Sequence, residues 1–320
     1  MRAASRGERF EDRAFAVAIG LATDALMGEP PSRVHPVARF GALMETLEER
    51  RWRDDRVAGA EFALAGVGCS VVVGFVSRKV LRPSGSLAVA TALCAAGRSL
   101  LESASAIAAR LDEGDLEGAR RLLPTLVGRD PDGLDEKEIS RAVVESLAEN
   151  LSDAVVATAV WGLLGGAPGA LAHRAANTLD AMVGHRSARY ARFGWAAARM
   201  DDAMGWPAAR FTALLVALAK PRSAGLVWRA VRNDARAHPS PNAGVAEAAF
   251  AAALGLRLGG PSTYEGRLEI RPSLGSGRSA EPADLRRAIE LVRRLIFGLV
   301  LALVGSASVA RFMRRRGLEA

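Results

Sequence analysis

The chain has 320 residues, and its 43 Lys and Arg residues against 35 Asp and Glu residues give a formal net charge of +8. Half of the residues are hydrophobic but only 5% are aromatic, so the chain can form a large core or several membrane spans. No basic stripe with interleaved aromatic residues is present, which makes nucleic acid a poor partner and favours anionic lipid or phosphorylated substrates. The two cysteines, Cys69 and Cys94, lie in apolar runs and form neither a zinc motif nor a disulfide framework.

The N-terminal region begins with a basic tail at residues 1–13. The apolar stretch 14–22 predicts an uncleaved first helix, because no small-residue cleavage site follows it. A Gly- and Pro-rich turn comes next, in which Asp24, Glu29, Arg33 and His35 are expected to cluster. An ordinary capped turn explains these residues equally well.

Three apolar runs are candidates for membrane spans, at residues 58–76, 154–172 and 295–310. The second is uncharged, but Gly165, Gly166 and Pro168 are expected to break it into two pieces. The third is bracketed by arginines and leads to a basic tail at 311–320, as in a terminal anchor. The apolar run at residues 85–97 is shorter than these three runs, and it predicts either a second helical arm or a buried helix.

A helix starting at Asp135 places four carboxylates within about 80° of one face, at roughly 100° per residue. These are Glu138, Glu145, Glu149 and Asp153, opposite an apolar face. Repulsion among carboxylates is relieved by a cation or a basic partner, which favours magnesium or an Arg-rich partner. A solvated acidic face is the alternative, and for Glu138 alone it is the better explanation.

More polar residues surround the end of the next helix, which Gly184 is expected to terminate. They are Asn177, Asp180, His185, Arg186, Asp201 and Asp202. Polar groups so near an apolar run are costly unless they act together, so a site at a membrane boundary is the first hypothesis. The arginines that recur here are also explained in part as a positive flank of a membrane segment.

The sequence HPSPNAG predicts a helix start, with Ser240 as N-cap and Pro241 at the first helical position. Free backbone donors at such a terminus bind anions, and Asn242 and His238 can add donors. A capped helix without a ligand is the alternative. From Gly259 to about residue 282 the Gly/Pro-rich composition predicts a long loop that can serve as a lid.

Common nucleotide and hydrolase signatures are missing from the sequence. It contains no Gly-Lys dipeptide, no His-Glu-x-x-His and no Gly-x-Ser-x-Gly. A nucleotide, if used, is therefore bound in some way other than by a P-loop.

Several motifs occur in one order along most of the chain. They are GEPPSRVHPV, GRD, LDEKEISRAVVESLAENLSDAVV, AANTLDAMVGHRSARYARFGWAAARMDD, HPSPNAG with Glu247, and LGGPSTYEG. Together they resemble the CbiB/CobD family of cobalamin-biosynthesis membrane proteins, also called adenosylcobinamide-phosphate synthases. The AENLSD and SPNAG pieces are specific. Thr158 departs from the usual Pro, and the arginine-rich tails have no counterpart, but neither touches a motif.

The resemblance implies an all-α, multi-pass protein of the cytoplasmic (inner) membrane, formed by one domain over residues 1–320, with amphipathic helices and a Gly/Pro-rich loop near the C-terminus. It implies amide formation between the free propionate of cobyric acid and (R)-1-amino-2-propanol or its phosphate. ATP and magnesium are expected, through an acyl phosphate, with no tightly bound cofactor. The expected partners are the corrinoid, the amine, the lipid bilayer and other corrinoid-pathway membrane enzymes, but not nucleic acid.

The motifs and local patterns together predict the site residues. Glu145, Glu149, Asp153, His185 and His238 are the candidate catalytic residues, and the first three are the candidate metal ligands. The candidate substrate- or phosphate-binding residues are Asp24, Glu29, His35, Arg129, Asp130, Asn150, Asn177, Asp180, Arg186, Asp201, Asp202, Ser240, Asn242, Glu247 and Tyr264.

Two functions from other classes remain open at this point. An AmpE-like membrane sensor would bind without turnover, and a corrinoid carrier would move an intermediate through its bundle. The retained set of carboxylates, Asn and His argues against a degenerate sensor. ATP-dependent product formation by the purified protein would exclude both.

Overall fold

The computed structural model describes residues 9–31, 33–185, 187–264 and 267–316, without the side chains of residues 264, 267 and 268. Its helices are α1 (Phe10–Met27), α2 (Pro36–Arg51), α3 (Arg56–Cys94), α4 (Gly97–Asp112), α5 (Leu116–Leu122), α6 (Glu136–Asn150), α7 (Ala157–Val183), α8 (Trp195–Ala219), α9 (Ala224–Asn233), α10 (Ala243–Leu254) and α11 (Pro282–Arg315). Short strands β1 (Leu256–Tyr264), β2 (Arg267–Leu274) and β3 (Arg278–Ser279) precede the last helix.

The chain divides into two compact units, each built from separate segments. Unit 1 comprises Met1–Ala96, Ala157–Met204 and Gly298–Ala320, and unit 2 comprises Gly97–Val156 and Gly205–Phe297. The prediction of a single domain over residues 1–320 stays a prediction.

In unit 1, α3 is a helical hairpin rather than one straight helix. The backbone leaves helical geometry at Arg82, with φ 59° and ψ 161°, and Pro83 follows. The hydroxyl oxygens of Ser77 and Ser86 lie 2.6 Å apart, whereas nine residues of straight helix would span about 13 Å. The chain therefore folds back at Arg82, which confirms the second arm predicted from residues 85–97.

A second break divides α7, as predicted from Gly165, Gly166 and Pro168. Gly166 has φ 64° and ψ −156°, a conformation that glycine tolerates without steric cost. A Cβ built on Gly169 would lie 2.4 Å from the carbonyl oxygen of Trp161, so the segment after the break returns against the one before it. This turn packs on the first arm of α3, because a Cβ on Gly74 would lie 2.6 Å from Cα of Pro168.

Three helical segments are long and apolar enough to cross a membrane, namely Arg56–Asp112, Glu136–Val183 and Pro282–Arg315. They contain the three predicted apolar runs. By length and composition this is a helical membrane protein. Large apolar side chains are exposed along the first and last of these segments, among them Val72, Phe75 and Phe297.

The all-α prediction was incomplete, because residues predicted to form a lid loop form a small sheet. Its strand order is β2-β1-β3, with β1 antiparallel to β2 and parallel to β3. Gly259 and Gly260 have φ values of 81° and 95°, and the register shifts between Leu258 and Gly260. Leu258 and Leu274 are fully buried, so the sheet covers apolar core and is not a free loop.

Candidate functional site

The predicted acidic helix α6 lies in unit 2 and is buried on both faces. Glu145 is only 2% exposed, and the apolar residues Ile139 and Val143 are 0% exposed. A solvated acidic face is therefore the wrong explanation for Glu145. Glu138 has a local role instead, because it forms a reciprocal capping box with Asp135 at the helix start.

Glu145 joins the helix to the sheet and to a buried arginine. Nη2 of Arg129 donates to its Oε2, and the backbone N–H of Gly259 donates to its Oε1 at 2.7 Å. Arg141, one turn earlier on α6, donates to the carbonyl oxygens of Gly259 and Pro261. Both oxygens of Glu145 are thus engaged by the protein, and the strand start is held against α6.

Glu247 on α10 has a different environment from Glu145. It is 1% exposed, and neither carboxylate oxygen has a hydrogen-bond partner among the described residues. The His238 ring lies beside it, with Nε2 3.8 Å from Oε1 of Glu247. A buried carboxylate without hydrogen bonds is costly, so this group is either protonated or matched by a cationic ligand.

Burial is the main cause that raises the pKa of Glu247 well above 4.5, and the carboxylates of Glu145 and Glu149 add to the effect. Arg271 on β2 and Arg129 oppose it. Burial likewise lowers the pKa of His238, so its ring is neutral near pH 7. A raised acid and a neutral imidazole side by side are the kind of pair that exchanges protons with a substrate.

The ring of His238 is oriented by the loop before α10. Nδ1 lies 3.1 Å from the backbone nitrogen of Ser240 and 3.2 Å from its carbonyl oxygen, so this ring nitrogen bonds to the turn and Nε2 faces Glu247. A Cβ on Gly244 would lie 2.4 Å from Cβ of His238, which explains the glycine at this position. The HPSPNAG sequence thus positions His238.

Helix α10 begins at Ala243 with Asn242 as its N-cap residue, so the predicted N-cap at Ser240 and first helical position at Pro241 were wrong. The start of α10 also offers the predicted anion site little support. Oγ of Ser240 accepts from the backbone N–H groups of Asn242 and Ala243, as a capping hydroxyl does. The donors needed for an anion are therefore already bonded. The side-chain oxygen of Asn242 accepts from Arg210 at 3.0 Å, which ties α10 to α8 inside unit 2.

Other predicted residues of α6 and its neighbours are placed around this cluster in different ways. Asn150 donates to the carbonyl oxygen and hydroxyl of Ser146, and Asp130 bonds through its backbone N–H to Thr263. Asp153 lies in a π-helical turn, Leu151–Val156, that follows α6. This turn changes the angular spacing between residues, so Asp153 does not continue the stripe with the spacing predicted for a straight helix.

A cavity of about 420 Å³ adjoins the cluster through Gly259. Its lining carries three basic side chains, Lys137 and Arg141 of α6 and Arg257 of β1, and the two acidic residues of the capping box, Asp135 and Glu138. Carbonyl and amide groups of the strand start complete one wall. Such a cavity suits the phosphates of a nucleotide.

Several predicted residues belong to unit 1 and make their own contacts. Nδ1 of His35 accepts from the backbone N–H of Val37, capping α2, and its Nε2 lies 3.7 Å from Glu29. Asp24 is buried in α1. The Glu29–His35 pair confirms part of the predicted cluster, and the capping role matches the ordinary alternative.

The polar residues at the end of α7 form two further contacts in unit 1. The amide of Asn177 donates to Asp201 at 3.3 Å, and the backbone N–H of Gly184 donates to the carbonyl oxygen of Asp180 where the helix ends. His185 is exposed and packs edge-on against Tyr190, at 4.9 Å between ring centres. Its catalytic role therefore stays a prediction, as do the binding roles of its neighbours, Asp202 included.

Two predicted site residues cannot be placed. Arg186 lies outside the described residues, and so does the side chain of Tyr264. Their proposed roles rest on the sequence motifs alone.

The amino-acid sequence matches those of known proteins. The family model described as CobD/Cbib protein matches residues 17–292. The chain is 47% identical to the cobalamin biosynthesis protein CobD of Mycobacterium tuberculosis (strain CDC 1551 / Oshkosh), over 89% of this chain and 92% of that protein. It is 43% identical to the same-named protein of Rhodobacter capsulatus, covering 90% and 94%, and 41% identical to that of Geobacter metallireducens, covering 89% and 93%.

The chain belongs to the CobD/Cbib protein family. It is a cobalamin biosynthesis protein with a biosynthetic enzyme role, and the predicted resemblance is confirmed. No solved structure gives a significant match.

The predicted magnesium ligands are only partly suited to hold a metal ion. No group of three or more His, Cys, Asp or Glu side chains is arranged to hold a metal ion within the described part of the chain. Glu145 uses both oxygens for Arg129 and Gly259, so it is a poor ligand. The metal-binding role of Glu149 stays a prediction, because magnesium is commonly held by one or two carboxylates together with phosphate oxygens.

Sequence reasoning missed two arginines of this CobD/Cbib site, Arg141 and Arg271. Arg141 precedes Glu145 by one helical turn, and this i,i+4 spacing was the available signal. Arg271 follows Glu269 and Ile270 in an alternating stretch, which indicates a strand. Because the Gly/Pro-rich composition predicted a loop here, Arg271 was not among the predicted site residues.

Proposed function

We propose that this protein joins the free propionate of cobyric acid to (R)-1-amino-2-propanol or its phosphate, in an ATP-driven amide ligation at the cytoplasmic membrane. The observation that carries the proposal is the buried, unbonded carboxylate of Glu247 beside a neutral histidine. An amine substrate arrives as an ammonium ion, and it must lose a proton before it can attack.

Glu247 is suited to receive that ammonium group. Its carboxylate would pair with the cation, which compensates the burial that Glu247 otherwise suffers. Its raised pKa then makes it a base that can accept the amine's proton near neutral pH. The ring of His238 lies beside this carboxylate, with Nε2 3.8 Å from Oε1 of Glu247.

Binding of the carboxylate substrate and of ATP, which are both anions, requires positively charged side chains. Arg129 and Arg271 supply it within the cluster, and Lys137 and Arg257 supply it in the adjoining cavity. A guanidinium can bind carboxylate or phosphate through two parallel hydrogen bonds. Magnesium, when bound with ATP, would neutralise phosphate charge, and Glu149 is the residue best suited to hold it.

The testing experiment is turnover by the purified protein. Cobyric acid, the amine or its phosphate, and ATP with magnesium are incubated with the protein in mild detergent, and corrinoid amide and ADP are measured. The proposal expects continuous product formation that requires ATP. Tight corrinoid binding without any product would favour a sensor or carrier and overturn it.

A further inference from the structure

A second cavity, of about 450 Å³, lies in unit 1 where α2 ends and α3 begins. Its wall combines arginines with apolar side chains: Arg50, Arg51, Trp52, Leu47, Phe62 and Ala65. A lining of this kind matches an amphipathic anion. It has no role in the ligation proposed for unit 2.

The charge at this cavity is positive because three arginines, Arg50, Arg51 and Arg53, line it with one acidic residue, Glu61. Several nearby carboxylates are paired. Glu48 accepts from Arg189 and Tyr190, Asp54 lies 3.9 Å from Arg192, and Glu61 lies 3.6 Å from Arg53. Arg50 and Arg51 are exposed, and neither forms an ion pair within the described residues. Two guanidinium groups are therefore available to an anionic ligand.

Trp52 forms one wall of the cavity, and Arg189 holds its side chain in place. Its indole N–H donates to the carbonyl oxygen of Arg189, and the guanidinium of Arg189 stacks 4.6 Å from the indole ring centre. Tryptophan is favoured at membrane interfaces, where one part of the ring is apolar and the N–H meets polar groups.

From the cavity an apolar surface continues along the first arm of α3. Leu64, Val72 and Phe75 are all more than half exposed, and they follow helical spacing on one face. Gly68 lies between them, and a Cβ built there would have no atom within 4 Å. This surface lies in the segment that is apolar enough to cross a membrane, so it can carry an acyl chain.

We infer that this cavity binds the headgroup of an anionic phospholipid, with Arg50 and Arg51 on the phosphodiester and an acyl chain along Leu64, Gly68 and Val72. Charge complementarity and the continuous apolar surface both favour this ligand over a water-soluble phosphate. Basic pockets beside membrane helices bind such headgroups.

The test is lipid binding to the full chain in mild detergent, followed by native mass spectrometry. Phosphatidylglycerol is compared with phosphatidylcholine of the same acyl chains, for the wild type and for the double variant Arg50→Gln, Arg51→Gln. The control is Arg229→Gln, Arg232→Gln, which removes two exposed arginines of α9 in unit 2. Thermal melting of each protein checks that the fold is kept.

We expect preferential binding of phosphatidylglycerol to the wild type and to the control. The α2 variant should lose that preference by about tenfold or more, since each basic side chain near an anionic lipid contributes measurably. An unchanged preference in the α2 variant would overturn the inference. Displacement of the lipid by millimolar inorganic phosphate would also overturn it, because the site would then recognise a free anion.

Discussion

Nε2 of His238 lies 3.8 Å from Oε1 of Glu247, and both atoms are buried without a hydrogen-bond partner among the described residues. This pair distinguishes unit 2 from an ordinary packed helical core, in which buried polar groups are bonded. It also gives the amide-forming proposal a specific base.

Replacing Glu247 by Gln should change how stability depends on pH. The raised pKa of folded Glu247 means that its stabilising contribution is complete below pH 4.5 and is lost as pH rises through the folded pKa. Glutamine keeps the shape without this loss. The melting temperature of Glu247→Gln relative to wild type should therefore rise between pH 5 and pH 9, with each unit of raised pKa contributing about 1.4 kcal/mol.

Melting curves in mild detergent at several pH values measure this effect. The Glu281→Gln variant, which changes a half-exposed glutamate that is paired with Arg278, is the control and should parallel the wild type. Parallel curves for Glu247→Gln as well would show that Glu247 is ionised at little cost in the folded protein, contrary to the structure.

The pair formed by Arg129 and Glu145 should behave as a buried ion pair. Arg129→Met or Glu145→Met alone leaves an uncompensated buried charge and should cost about 3–5 kcal/mol. The double variant should cost clearly less than the sum. A double-mutant cycle of unfolding free energies measures the coupling.

An exposed pair provides the matched comparison for that cycle. Arg98 and Glu102 lie one helical turn apart with Nε and Oε1 at 2.6 Å, and both side chains are solvent-exposed. Their coupling should be below about 1 kcal/mol. Equal coupling for the two pairs would mean that Arg129 and Glu145 are not shielded from water.

Alanine at Gly74 should destabilise the packing of the two helical hairpins. Its Cβ would lie 2.6 Å from Cα of Pro168, a backbone atom that cannot move aside freely. The cost should be about 1–3 kcal/mol, typical of overpacking. Gly68→Ala on the same arm meets no atom within 4 Å and is the control. Comparable melting temperatures for both variants would contradict the close approach.

Local patterns predicted the parts of the fold that depend on neighbouring residues. The helix start near Asp135, the helix end at Gly184 and the break near Gly166 all follow from local backbone preferences. The apolar runs were also visible, since membrane spans need about 20 apolar residues.

The sheet and the composition of the cluster could not be obtained in the same way. β1 pairs with β2 through contacts that Gly259 and Gly260 make possible, and these glycines also favour a loop. Glu145 and Glu247 are 102 residues apart, so their shared environment is a tertiary feature. The stripe on α6 predicted magnesium or an Arg-rich partner for its carboxylates, and only the fold identifies Arg129 as the partner of Glu145.

The rate of ATP-dependent amide formation by Glu247→Gln tests the central claim most directly, with Glu136→Gln, an exposed glutamate on α6, as control. Loss of a general base should lower kcat by about 100-fold or more, while the melting temperature does not fall and the control stays near the wild type. A Glu247→Gln protein that forms the corrinoid amide at the wild-type rate would contradict the account.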